Sequence, residues 1–430
     1  MIRTHILPCT IPKARADELN RASGTIYTGV LVAHWRLVRK KGLWLSEASG
    51  TRWGDTRTAA KMHAHSIDAA QQGFYKACDV TRALRQAGIA EAKFPYHRKT
   101  FRTTIWKTTG IQREGDTLRL SGGGRTKKER DERECKIPIP ERLRDCLRFI
   151  EVRLVYDKLA RRYTWHVVVE NGLKPKPAPG RDVVAVDLGE IHPAVVGDRE
   201  RATIITCRER RHESQGHAKR LATISRAIAR KAKGSRRRKR LVRAKARMKA
   251  KHERVMRDIE HKIGRAVVDV AVEREAGTIV IGDVRDVADK GDKGKVQNGR
   301  MSRWNHGKIR AYIEYKAEAE GIKVELVDEH HTTKTCPGCG QRHKPRGRTY
   351  RCPSCRFQAH RDVVGQVNIL SRFLEGDVGR IPAPADVKYR IPRNVRVMRR
   401  RCGHQPGSNL RSPGERSPAE LGPTQEAAGL

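Results

Sequence analysis

The sequence predicts a β-rich domain with helices attached, followed by an α/β domain that carries a zinc knuckle. Three observations predict this. Alternating apolar residues dominate the later part of roughly the first 175 residues. The almost fully apolar run "DVVAVDLG" then opens a half in which helix and strand patterns alternate, as a parallel sheet requires. Near the end of that half stand two Cys-x-x-Cys pairs.

The elements follow in order. "DELNRASGTIYTGVLVAHWRLVRKKG" and "DAAQQGFYKACDVTRALRQAG" carry apolar residues at helical spacing. From about Ala92 the period changes to two. "TTIWKTTGIQREGDTLRLSG" alternates around the turn "EGDT", and "FIEVRLVYDKLARRYTWHVVVE" is a second hairpin. Residues 1–175 therefore predict a small β-barrel or sandwich with a helical insertion at about 11–90. "NGLKPKPAPGR" reads as a linker. "DVVAVDLG" and the two short strands of "HPAVVGDRERATIITC" predict three antiparallel strands. Residues 208–262 predict a basic helical hairpin broken at Gly234–Ser235, then a separate amphipathic helix up to Gly277. A strand follows at Thr278–Ile281, then a helix ending at Gly321 and a strand from about Lys323 to Val327. "HRDVVGQVNILSRFL" is the last helix. Beyond Gly376 the chain holds seven of its nineteen prolines, so 376–430 reads as a disordered basic tail. Cys402 and His404 in it are too few for a metal site.

Composition narrows the function. The 430 residues carry a formal net charge of +44, which resists compaction unless a polyanion neutralises it. Aromatics are only 5%, so Lys and Arg contacts to a phosphate backbone are expected rather than base stacking. No apolar run is long enough to span a membrane, and the start lacks a signal-peptide core. Six of the ten cysteines are scattered singly, which is cytosolic usage. A cytoplasmic protein held near the nucleoid by nucleic acid is expected. Residues 208–262 contain 22 Lys or Arg against 5 acids. Arg236, Arg237, Arg238, Lys239, Arg240, Arg243, Lys245 and Arg247 are the candidate nucleic-acid contacts. No Walker loop or GxGxxG is present, so an ATP-driven motor is not supported.

Two sets of residues carry chemistry. Cys336, Cys339, Cys352 and Cys355 form two pairs separated by twelve residues, on the turns "CPGCG" and "CPSC". Four thiolates suit tetrahedral Zn²⁺ with no open position, a structural site over 336–355. The second set is carboxylates at strand ends and a helix start: Asp187, Asp283, Asp328, Glu329 and Asp362. Acids brought together at strand ends repel unless cations bind, and oxygen ligands select Mg²⁺ or Mn²⁺. Two such ions activate a water and stabilise the leaving oxygen in phosphodiester cleavage. Each acid taken alone also suits an ordinary strand end or helix cap, Asp362 above all. His330 and His331 read as polar loop residues.

The order "VVAVDLG", basic hairpin, "HKI", "IVIGDV", "YKAEAEGIKVELVDEHHTTKTCPGCG", "CPSC" and "HRDVVGQVNIL" resembles the transposon-encoded TnpB (OrfB) family, whose relatives are the miniature type V CRISPR effectors. The resemblance covers about Asp182 to Leu374. It implies an RNase H-like (RuvC) nuclease domain at 176–335 and 356–375 with an inserted zinc ribbon, behind a β-barrel (wedge) domain with a helical recognition insertion. It implies a guide RNA and cleavage of a double-stranded DNA target. Asp187 and Asp362 match the first and third acids of the family's triad. The second fails: the family writes apolar-Glu-Asp, and here Gly282 stands at the glutamate position of "VIGDV". Asp283 is a fallback, but one residue along a strand points to the opposite face. Glu329, at the end of the neighbouring strand, is the expected replacement. The alternatives are an RNA-guided DNA binder without nuclease activity and, behind it, an unguided RuvC-like resolvase.

Overall fold

The N-terminal half is built on two antiparallel sheets. The computed structural model describes residues 1–395 except 52–61, 125, 159, 285–293 and 346. The chain enters through β1 (Ile2–Pro8) and the helices α1 (Lys13–Lys41), α2 (Glu47–Thr51) and α3 (Ala64–Gln86). It continues through β2 (Thr104–Lys107), β3 (Ile111–Glu114), β4 (Thr117–Leu120), α4 (Lys127–Glu132), β5 (Cys135–Pro138), β6 (Arg148–Asp157) and β7 (Arg162–Glu170). One sheet has the order β1-β7-β6-β2 and the other β3-β4-β5. Both expected hairpins form, β3–β4 and β6–β7. Alternate residues Val152, Leu154, Trp165, Val167 and Val169 are wholly buried, because successive side chains take opposite faces. Buried Asn20 ties α1 to this sheet: its Nδ2 donates to Leu154 O (3.2 Å) and its Oδ1 accepts from Thr104 N (3.0 Å).

Residues 171–181 have no regular structure but are not a free linker. Lys176 N donates to Ala319 O (3.2 Å), and its ammonium pairs with Glu320 (2.9 Å). The two halves pack into one unit, Met1–Val395.

The second half contains β8 (Asp182–Asp187), β9 (Ala194–Gly197), β10 (Arg201–Ile205), α5 (Arg208–Ala229), α6 (Arg236–Glu273) and β11 (Ala276–Asp283). After these come α7 (Lys295–Met301), α8 (His306–Ala319), β12 (Lys323–Asp328), β13 (Thr349–Arg351), β14 (Gln358–His360), α9 (Arg361–Glu375) and β15 (Asp386–Arg390). Six strands make one sheet, β12-β11-β8-β9-β10-β15. β8, β9 and β10 pair antiparallel; β8, β11 and β12 run parallel. Val184, Ala185, Val186, Ile279, Val280 and Ile281 are 0% exposed, which is why these strands read as unbroken apolar runs. Each buried Val or Ile among them contributes about 1.5–3 kcal/mol by burial. Ala185 and Val280 face α9, while Val184, Val186, Ile279 and Ile281 face α6 and α8.

Two sequence expectations are corrected. The basic helix and the amphipathic helix after it are one element, α6, about 57 Å long at 1.5 Å per residue. Gly264 does not break it, because that glycine is where α8 crosses: a Cβ there would lie 3.0 Å from Tyr312 Cβ. The second correction concerns 376–395, expected to be disordered. Val378 and Ile381 are buried, and β15 pairs parallel with β10, closing that sheet edge. The few apolar residues land on one edge, which average composition hides. The remaining tail, 396–430 with Cys402 and His404, lies outside the described residues. Among the described residues no helix is long and apolar enough to cross a membrane.

Candidate active site and metal centre

Because β8, β11 and β12 are parallel, their C-terminal ends meet at one edge of the sheet. Asp187 is the last residue of β8, and Glu329 follows β12 directly. Asp362 is the second residue of α9, whose N-terminus comes to the same edge. It is not the helix cap: His360 caps α9, accepting from Asp362 N at 3.2 Å. The contact of α9 with β8 depends on Gly365, where a Cβ would sit 2.2 Å from Asp187 Oδ2.

Gly282 decides where Glu329 goes. A Cβ built on Gly282 would lie 2.4 Å from Glu329 Oε1 and 2.5 Å from its Cγ. The glutamate side chain therefore occupies the space that a side chain at 282 would take. Its backbone is held on both sides. Arg372 donates to the carbonyls of Asp328 (2.6 Å) and His330 (2.8 Å), and Thr332 N and Oγ1 donate to Glu329 O at 3.1 and 2.9 Å. Glu329 Oε1 is buried with no hydrogen-bond partner in the structure. Leaving a buried polar atom unsatisfied costs about 1–3 kcal/mol, which a bound cation would offset. Asp328, beside it, is 74% exposed in its side chain and pairs with Arg372 at 3.3 Å. Asp283 is on the other face of the sheet, where Arg310 of α8 comes within 3.9 Å. The fallback acid is thus separated from the pocket, as the strand period requires.

Crowding shows in the protonation of these acids. Burial, with the Asp362 charge next, raises Asp187 to about 7. Burial, then the charges of Asp187, Asp283 and Asp328, raises Glu329 to about 9. Both values lie above those of free carboxylates, so the folded state binds these protons more tightly than the unfolded chain. The stability this contributes is full below about pH 4 and is lost as pH rises through 7 towards 9. Without added Mg²⁺ the melting temperature is expected to fall over that range more steeply in the wild type than in Asp187→Asn/Glu329→Gln. Mg²⁺ should stabilise the wild type increasingly as pH rises. Thermal melts of zinc-loaded protein across pH check this, and parallel curves for the two proteins would refute it.

Gly365→Ala gives a second expectation. Alanine is worth about 1 kcal/mol more than glycine inside a helix, but its Cβ displaces the Asp187 carboxylate. The fold should survive with a melting shift of only a few degrees. A displacement of about 1 Å costs on the order of 10²-fold in rate, so the phosphodiester cleavage that the sequence leads one to expect should fall by about that much. Melting curves and cleavage rates measured side by side check it.

The four cysteines converge. Cys336 Sγ and Cys355 Sγ are 3.5 Å apart, Cys339 Sγ and Cys352 Sγ 3.6 Å, and all four atoms lie within 4.8 Å of one another. Zn–S bonds of about 2.3 Å give a tetrahedron with edges of about 3.8 Å. The cluster fits a zinc ion. Gly340 (φ +71°) and Arg356 (φ +62°) take left-handed conformations just after the second cysteine of each pair. Strands β13 and β14 flank the second cysteine pair and pair antiparallel, and Tyr350 packs with Val364 of α9. Buried Asn368 of α9 donates to Thr332 O (2.7 Å) and Thr335 O (2.8 Å), so the segment from Glu329 to Cys336 is fastened to α9.

Three residues near Asp362 escaped the sequence reading. Arg348, within the basic run between the cysteine pairs, binds the Asp362 carboxylate at 2.8 Å. His192 and His360 bring ring nitrogens to within 4.8 Å of each other and of an Asp362 oxygen. Burial lowers the pKa of both histidines, partly opposed by the Asp362 charge. The available signal was adjacency: His360 stands two residues before Asp362 and His192 five after Asp187.

The candidate nucleic-acid residues line the first turns of α6. Arg236, Arg237, Lys239, Arg240, Arg243 and Arg247 are exposed, and Arg238 and Lys245 half-buried. No ion pair involves any of the eight among the described residues. α5 and α6 form the expected hairpin, and burial of α6 begins only at Ala250.

Comparison with known proteins matches this layout. Residues 166–288 match the family model OrfB_IS605, described as "Probable transposase", and residues 306–369 match the Cas12f1-like TNB domain. By these matches the chain is similar to the TnpB (OrfB) proteins and to the miniature type V effectors. Among its TnpB relatives, a TnpB-like protein of Methanocaldococcus jannaschii is 32% identical over 137 residues, 31% of this chain and 48% of that one. The CRISPR-associated endodeoxyribonuclease Cas12f1 of Sulfoacidibacillus thermotolerans is 29% identical over 112 residues, 25% of each chain. The chain thus spans about half the length, or less, of these curated relatives. A Cas12f1 structure, solved with guide RNA and target DNA, aligns over 82% of this chain and 81% of its own, with a TM-score of 0.57 at 14% identity. That likeness establishes a shared mixed α/β fold.

Proposed function

We propose that the chain is an RNA-guided DNA endonuclease, with Asp187, Glu329 and Asp362 as the metal-binding acids of a RuvC-like site. The observation that carries this reading is the Glu329 carboxylate lying over Gly282, at the same sheet edge as Asp187 and α9. The sheet supports it: three antiparallel strands followed by two parallel ones, in the order β12-β11-β8-β9-β10, is the RNase H arrangement. In this reading the zinc ribbon is an insertion between β12 and α9. The N-terminal sheets form the wedge domain, and α1 and α3 its recognition insertion.

The chain's own residues set the chemistry. Asp187, Glu329 and Asp362 offer hard oxygen donors, which suit Mg²⁺ or Mn²⁺. Two divalent cations held there would supply an activated water and neutralise the leaving oxygen of a phosphodiester. Arg348 balances the Asp362 charge and, 43% exposed in its side chain, is open to an anionic ligand. Arg372 and Asn368 hold the Glu329 segment in place. Target sequence would be read by base pairing to the guide RNA, with the protein gripping the heteroduplex backbone.

The test is to purify the protein, sequence any RNA that comes with it, and present a guide-matched DNA duplex with Mg²⁺. Absence of Mg²⁺-dependent nicking sinks the nuclease assignment. Gly282 favours a second reading, guided binding without cleavage, which the same assay would reveal as protection of the target without a cut. The hairpin is tested separately. Alanine at Arg236, Arg237, Arg240 and Arg243 should leave the melting temperature unchanged. It should flatten the slope of log affinity against log salt by up to about 0.9 per lost phosphate contact. An unchanged slope would remove the hairpin from the binding surface.

A further inference from the structure

The Asp362 side of the site differs chemically from the Asp187–Glu329 side, because two imidazoles stand on it. His192 is brought there by the tight loop after β8: Gly189 packs so closely on the His192 carbonyl that a Cβ would sit 2.5 Å from it. His360 is brought there by the end of β14, immediately before α9. Their ring centroids are 5.3 Å apart with the planes at 65°, so the rings meet edge to face rather than stacking. One donor atom from each histidine and one from Asp362 all lie within 4.8 Å of one another. Small side-chain rotations bring three such donors to about 2.1 Å from a single ion. His192 Nδ1 is buried without a hydrogen-bond partner in the structure, a cost that an ion or a reoriented ring would relieve.

We propose that His192, His360 and Asp362 form a nitrogen-and-oxygen metal position that takes Mn²⁺ or Co²⁺ in preference to Mg²⁺. This rests on the reading of Asp362 as a metal ligand. Imidazole nitrogen is a borderline donor that suits first-row transition ions, whereas Mg²⁺ favours an all-oxygen shell. Two ligands already have local partners that an ion must replace. Arg348 leaves the Asp362 carboxylate, and His360 gives up its 3.2 Å cap bond to Asp362 N. The cap is worth about 1 kcal/mol, small beside two metal–nitrogen bonds.

The experiment uses full-length, zinc-loaded protein without DNA, titrated with Co²⁺ and followed by visible absorption, with Mn²⁺ binding followed by electron paramagnetic resonance. Thiolate charge-transfer bands would betray any cobalt that entered the ribbon. The expected result is a saturable, thiolate-free cobalt site that needs both histidines, beside any cobalt held by Asp187 and Glu329, and displaced by Mn²⁺ at much lower concentration than by Mg²⁺. His360→Asn keeps a capping side chain and removes only the imidazole. It and His192→Gln should each weaken Co²⁺ binding by about tenfold or more, with zinc content and melting temperature retained. Co²⁺ binding indifferent to both substitutions, or displaced equally well by Mg²⁺, overturns the proposal. The outcomes separate from those of the nuclease assay. Histidine-dependent Co²⁺ binding without guide-directed cutting sinks the nuclease reading alone, and cutting with histidine-independent Co²⁺ binding sinks this one alone.

Discussion

Glu329→Gln is expected to abolish guide-directed cleavage, lowering the rate by about 10³-fold. Substituting one oxygen of a metal-binding carboxylate removes several kcal/mol of transition-state stabilisation, and each 1.36 kcal/mol is tenfold. Asp283→Asn, on the opposite face beside Arg310, should cut within a few-fold of wild type. The stronger arm moves the acid. In wild type, Gly282→Glu drives a Cβ to 2.4 Å from Glu329 Oε1 and should destabilise the protein. Combined with Glu329→Gly, the same substitution returns a carboxylate to β11 in the space vacated. Partial recovery of cleavage in that double variant, with none in Glu329→Gly, would show that the acid's position matters and its strand of origin does not. If Glu329→Gln cuts at the wild-type rate, the relocated acid is wrong.

Loss of the ribbon metal should be nearly as damaging, although the cysteines touch no reacting atom. Structural zinc sites contribute on the order of 10 kcal/mol to the folding of their own segment. Here that segment joins Glu329 to Asp362, and it carries Arg348. Cys336→Ser/Cys339→Ser is expected to remove one zinc per chain, open residues 330–360 to proteolysis and reduce cleavage by 10²-fold or more, as displacement of catalytic groups by about 1 Å would. Asn368 and Arg372 remain as anchors on α9, so the six-stranded sheet should persist. Metal analysis, limited proteolysis and cleavage rates on one preparation decide this. Undiminished cleavage by zinc-free protein would mean that α9 alone positions the acids.

The legible parts of the fold were those written locally. Cys336, Cys339, Cys352 and Cys355 need only their spacing, since each pair folds on its own tight turn. Asp187 and Asp362 follow from an apolar run that stops and a helix that starts. The placement of Asp283 on the opposite face of the sheet follows from the period of two in a strand. Other features resisted because composition or periodicity averages over them. β15 pairs at a sheet edge from within a polar, proline-rich tail, and α6 runs through Gly264 because a crossing helix, not a break, requires that glycine.

By itself the sequence determined that the protein is basic, holds a four-cysteine metal site, and ends its buried strands on acids, because charge, ligand spacing and strand period are properties of short segments. Only the tertiary structure decided which acids share a pocket. Glu329 fills the volume over Gly282, Gly365 lets α9 reach Asp187, and His192 and His360 meet beside Asp362. Each of these is a contact between residues distant in the chain. Which side chains converge is set by the pairing of parallel strands and the approach of one helix, and no local pattern encodes that.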